Sequence, residues 1–177
     1  MIQINGNENA EFVFTNTRRP AFRLVKLDSF TGNGLGGATF RIARIADGTR
    51  YLDRVTDANG EINISDLEPG IYSVRETKAP EGFVIDPTEY HVELFPGQVS
   101  ELVVSNDRKP NLEIIKTDAV TGAPVEGVTF TVKKVDSSTL TTVKSDADGR
   151  ALIEKLDPGV YAVSYTHLRA HETKANL

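Results

Sequence analysis

Apolar residues recur at every second position through many short stretches of this chain. Leu112 and Ile114 alternate with Asn111 and Glu113, Leu102 and Val104 with Glu101 and Ser105, and Tyr72 and Val74 with Ser73 and Arg75. Side chains two apart share one face of a strand, so this period predicts half-buried β-strands. Between the runs stand T-G-N-G (Thr31 to Gly34), D-A-N-G (Asp57 to Gly60), E-P-G (Glu68 to Gly70) and A-P-E-G (Ala79 to Gly82). Glycine supplies positive φ and proline presets its own, so the chain reverses there. No convincing amphipathic helix interrupts the pattern. Short strands and regular turns predict an all-β fold of immunoglobulin-like sandwiches.

The pattern also repeats. R-P-A-F-R-L-V-K-L-D-S-F-T-G from Arg19 returns as K-P-N-L-E-I-I-K-T-D-A-V-T-G from Lys109, which places Lys26 on Lys116, Asp28 on Asp118 and Phe40 on Phe130. E-F-V-F-T-N ending at Asn16 returns as E-L-V-V-S-N ending at Asn106, at the same spacing. T-D-A-N-G-E from Thr56 returns as S-D-A-D-G-R from Ser145, one residue closer. Fixed-period similarity predicts tandem modules. The expected division is the C-terminal strands of a truncated module over 1–18, a complete module over 19–108 and the N-terminal part of a third over 109–163. After Tyr161 the repeat breaks: S-Y-T-H-L-R-A-H-E-T (Ser164 to Thr173) resembles a translated sequencing adapter, so 164–177 is expected to be non-native.

Composition narrows the function. A net charge of −5 argues against a nucleic-acid footprint, which needs clustered positive charge. No apolar run approaches the roughly 20 residues of a membrane helix. There is no cysteine, so disulfides and thiolate metal sites are excluded, and small β-modules must be stabilised in another way.

Strand phase singles out three polar residues. Lys26 follows Phe22 and Leu24, Glu76 follows Tyr72 and Val74, and Asn106 follows Leu102 and Val104, each on the apolar face. A lone buried charge is costly unless paired or neutralised. One reading is a buried Lys–Glu ion pair with a hydrogen-bonded Asn, or strand ends that reach solvent. The other is covalent. Desolvation favours a neutral amine and a protonated carboxyl. Lys26 would then attack the Asn106 carboxamide, with Glu76 polarising the carbonyl and shuttling protons, and ammonia would leave.

The motifs V-K-L-D-S-F-T-G, T-D-A-N-G, L-E-P-G-I-Y-S-V-R-E-T-K-A-P-E-G-F and V-V-S-N, in that order, resemble the B-type repeat of collagen-adhesin proteins, the SpaA-like prealbumin-fold domain. Such repeats form stalks of Gram-positive surface adhesins and pilins. The resemblance spans Met1 to Val163. It implies an intramolecular isopeptide bond between Lys26 and Asn106 promoted by Glu76, and an extracellular, cell-wall-anchored protein. It also implies that Asn16 and Lys116 are orphaned equivalents: Asn16 lacks its lysine and glutamate, and Lys116 lacks an asparagine, with Tyr165 at the position where the glutamate belongs.

No cofactor, metal or turnover activity is expected. His167 and His171 have a metal-compatible spacing but fall in the suspected tail, and D-A-N-G-E lacks the ligand pattern of a calcium loop. Tyr72 and Tyr161, each after Pro-Gly, are expected to pack in the core with a partner for the hydroxyl. The partners expected are neighbouring repeats of the same chain. The competing reading is a binding module whose loops hold a host matrix protein or glycan.

Overall fold

The computed structural model describes residues 11, 13–46 and 51–166. Among the described residues twelve strands follow one another: β1 (Ala21–Asp28), β2 (Thr39–Arg44), β3 (Tyr51–Val55), β4 (Glu61–Ile64), β5 (Gly70–Lys78), β6 (Glu89–Leu94), β7 (Val99–Asn106), β8 (Leu112–Ile115), β9 (Thr129–Lys134), β10 (Leu140–Lys144), β11 (Arg150–Ile153) and β12 (Tyr161–Tyr165). No helix occurs among the described residues. The chain divides into two compact units, one of Met1–Leu27, Gly32–Lys78 and Pro87–Ser105, the other of Asp28–Thr31, Ala79–Asp86 and Asn106–Leu177.

In the first unit, a sheet ordered β4-β1-β7 and another ordered β3-β2-β5-β6 enclose one core. Phe22, Leu24, Ile62 and Val104 come from the first sheet, and Phe40, Ile42, Tyr72, Val74 and Leu94 from the second. The period-2 alternation is realised directly: inward residues of β1 are buried and outward ones half-buried. Outward-facing Arg23 links β1 to its neighbours through Glu61 on β4 and Glu101 on β7.

In the second unit, β8 pairs with β11 and β9 lies between β10 and β12. These pairings repeat those of β1 with β4, and of β2 between β3 and β5. Buried Phe130, Val132, Ala151 and Ile153 come from two of these strands, β9 and β11. The stretch E-F-V-F-T-N ending at Asn16, expected as a strand from its echo of β7, is not one over its described residues: Val13 and Phe14 are exposed. A strand needs a partner's N–H and C=O groups, and no described strand pairs with it.

The turns are built alike in the two repeats. Asp57 Oδ1 accepts the N–H groups of Asn59 and Glu61 at 2.9 and 2.8 Å, and Asp146 Oδ1 those of Asp148 and Arg150 at 3.0 and 2.8 Å. These are β-turns held by an aspartate, as the sequence predicted. Gly60 adopts φ +81°, and a Cβ there would lie 2.3 Å from the carbonyl oxygen of Lys26. That close approach lets Lys26 N–H donate to Gly60 O at 2.7 Å while Lys26 O accepts from Leu35 N–H at 2.8 Å.

Thr56 is buried, accepts the N–H of Ala38 at 3.0 Å and donates to Leu35 O at 2.7 Å. Ser145 does the same between Val128 N–H and Val125 O. Thr56→Val should therefore destabilise by about 2 kcal/mol through two unsatisfied buried groups, whereas Thr56→Ser, which keeps both bonds, should cost less than about 1 kcal/mol. Urea unfolding of the two variants checks this.

Candidate functional site

Lys26, on the buried face of β1, is 0% exposed, and Glu76, on the buried face of β5, is 3% exposed. Lys26 Nζ stands 3.8 Å from Glu76 Oε1 and 5.8 Å from the ring centroid of Phe40. Phe40, itself fully buried, is the cross-strand partner of Glu76 between β2 and β5. An amine and a carboxyl group thus lie together in the buried core, with an aromatic ring beside the amine. Both readings of the sequence put a Lys–Glu pair here, and the structure brings these two residues together.

Asn106 is the last residue of β7 and is 2% exposed. β7 is the hydrogen-bonded neighbour of β1. Ala21 N–H donates to Gln98 O at 2.9 Å at the start of the pair, and Ser29 N–H to Asn106 O at 3.1 Å at its end. β1 and β7 therefore run parallel. Asn106 follows Val104 on the buried face of β7, as Lys26 follows Leu24 on that of β1.

The repeat equivalents are built differently. Tyr165 pairs with Phe130 across β12 and β9, as Glu76 pairs with Phe40, so it stands where a glutamate would. Lys116 is half-buried, donates to Thr117 O at 2.9 Å and lies 5.6 Å from the Tyr165 ring centroid. A phenol offers an aromatic face to this cation but no carboxyl group. Asn16 is exposed and outside any strand, while Phe12 of the same stretch lies outside the described residues.

Sequence reasoning missed one buried charge, Asp28, which is 2% exposed. Its Oδ1 accepts the N–H groups of Phe30 and Thr31 at 2.9 and 3.4 Å. Its Oδ2 accepts Nε and Nη2 of Arg108 at 2.9 and 2.7 Å. Burial pushes this carboxyl up, but the bonds from Arg108, Phe30 and Thr31 outweigh it and hold the carboxyl at about 2, below the ordinary 3.8. The available signal was its return as Asp118, whose Oδ1 accepts from Val120 and Thr121 in the same way. The folded chain binds this proton more weakly than the unfolded chain. Stability from Asp28 is thus complete above about pH 4 and disappears as pH falls toward 2. Thermal melts should show a steeper loss over that window for the unmutated chain than for Asp28→Asn.

The two tyrosines after Pro-Gly have their expected partners: Tyr72 donates to Glu68 O at 3.0 Å and Tyr161 to Asp157 O at 2.7 Å. β12 extends to Tyr165, two residues into the stretch read as adapter-derived, and 167–177, with both histidines, lies outside the described residues. Among the described residues no cluster of three or more His, Asp or Glu is placed to hold a metal.

Residues 20–108 and 110–173 match the SpaA prealbumin-like fold domain. No curated protein is similar enough to count as a relative. Among solved structures, the chain is similar to the Bacillus anthracis TIE protein, with 26% identity and a TM-score of 0.52 over 84% of this chain and 28% of that one. It is similar to a streptococcal ancillary pilin, with 26% identity and a TM-score of 0.54 over 86% of this chain and 55% of that one. A mutant of the shaft pilin SpaA from Lactobacillus rhamnosus GG shares the fold at 14% identity, with a TM-score of 0.53 over 88% and 89% of the two chains. The chain thus spans about a quarter and about half of the first two proteins.

Proposed function

The chain belongs to the SpaA prealbumin-like fold domains, and on that premise we propose that it is a structural stalk segment of a Gram-positive pilin or adhesin, closed by an amide between Lys26 and Asn106. The observation that carries this reading is the wholly buried Lys26 amine 3.8 Å from the buried carboxylate of Glu76. Support for the acceptor is the burial of Asn106 on the strand beside β1.

In the proposed reaction, the neutral Lys26 Nζ attacks Cγ of Asn106. The Glu76 carboxyl group donates to Oδ1 as negative charge develops there, then relays a proton from Nζ to Nδ2. Nδ2 leaves as ammonia, the Nζ–Cγ amide remains and Glu76 regains its starting state. The acceleration comes from fixed positioning in a dry site. The reaction occurs once per molecule, so the protein is not a turnover enzyme.

The stalk would be extracellular and anchored to the cell wall, with neighbouring repeats of the same chain as its partners. Residues 19–108 form its complete module in this reading, flanked by parts of modules over 1–18 and 109–163. Only the middle one carries lysine, glutamate and asparagine together, so Asn16 and Lys116 stay uncrosslinked. An amide joining the first strand to the last lets a pulling force bypass the module's core. Single-molecule pulling on the chain ends should show no extension from the residues between Lys26 and Asn106, and Asn106→Ala should release that length. Full extension of the unmutated module would contradict a bond that carries the force.

A further inference from the structure

Strand ends ordinarily open at little cost, yet the end of β7 is secured at every residue. Asn106 O accepts Ser29 N–H at 3.1 Å, and Asp107 O accepts Val84 N–H at 2.9 Å. Asp107 Oδ1 accepts the Ser29 hydroxyl at 2.5 Å. Arg108 places two donors on Asp28 Oδ2 and forms a backbone bridge with Phe83, and Lys109 N–H donates to Gly82 O at 2.8 Å.

The comparison of Asp28 with Asp118 separates two roles. Both aspartates use Oδ1 to hold the turn that follows them. Asp118 does this while exposed, so the turn requires neither burial nor an arginine. At Asp28 the second oxygen is given entirely to the fork of Arg108, a charge-assisted two-donor arrangement with fixed geometry. Asp28 also lies two residues beyond Lys26 on the same face of β1. The fork of Arg108 thus ties the backbone that follows Asn106 to the last residue of β1.

We propose that Asp28 and Arg108 are positioning residues for amide formation: their ion pair holds the end of β7 so that the Asn106 carboxamide stays within reach of the Lys26 amine. This rests on the amide reading above. Attack requires the reacting atoms about 3 to 3.5 Å apart, and a misplacement near 1 Å costs on the order of a hundredfold in rate. Arg108 has an exposed side chain, so its replacement leaves the core intact.

The test follows ammonia loss by intact mass in freshly purified full chain, unmutated and as Arg108→Gln, Asp28→Asn and the double variant. Each single variant should form the amide at least about tenfold more slowly, and the double variant should be no slower than the slower single one. Hydrogen exchange at Leu24 and Val104, measured in a Glu76→Gln background that cannot close the bond, should be unchanged when Arg108→Gln is added. Amide formation at the unmutated rate in both single variants would overturn the positioning role. So would a loss of exchange protection across the module, which would make the slowing a folding effect. No ammonia loss from the unmutated chain would instead sink the amide reading itself.

Discussion

Glu76→Ala should leave the middle repeat without its amide and close to unfolded at ambient temperature. The substitution removes the acid that the reaction needs and takes from Lys26, which is 0% exposed, the carboxyl group 3.8 Å from it. Removing one partner of a buried polar pair costs roughly 1 to 3 kcal/mol. Without the amide, the module also forgoes the constraint on its unfolded state, about 4 to 5 kcal/mol for a loop of this length by analogy with a disulfide. Domains of this size are stable by only about 5 to 15 kcal/mol, so the two losses together consume most of the margin. Calorimetry should find the cooperative transition of this repeat at far lower temperature or missing. A transition within a few degrees of the unmutated one would show that neither the pair nor the bond matters.

The second large effect belongs to Asn106→Ala, which separates the bond from the ion pair. Lys26 and Glu76 keep each other, so the proposed cross-link is removed while that pair stays. About 4 to 5 kcal/mol, in a domain where each kcal/mol shifts Tm by roughly 4 to 8 °C, corresponds to a drop of about 16 to 40 °C. The melting temperature of Asn106→Ala should therefore lie between those of the unmutated chain and Glu76→Ala. Equal temperatures for Asn106→Ala and the unmutated chain would mean that no bond closes the repeat.

The strand alternation and the turns were legible in the sequence because they depend on local periodicity. The buried faces carrying Lys26, Glu76 and Asn106 followed from strand phase alone, and the structure finds each of them buried. The place of Tyr165 at the glutamate's position likewise followed from the repeat, and its pairing with Phe130 matches that of Glu76 with Phe40. What stayed hidden depends on contacts far apart in sequence. Asp28 and Arg108 are 80 residues apart, and nothing local marks the aspartate as buried. The pairs of Arg19 with Glu68 and Lys109 with Asp157 likewise join residues far apart in sequence, and no local pattern marks them. The segment ending at Asn16 failed in the opposite way. Its alternation is that of a strand, but alternation supplies no partner to pair with.

Intact mass of the full chain decides whether the amide forms. The unmutated protein should weigh one ammonia less than its sequence, with fragmentation locating the link at Lys26 and Asn106 and leaving Asn16 and Lys116 unlinked, and Lys26→Ala should restore the full mass. The full sequence mass in the unmutated, folded protein would contradict the account.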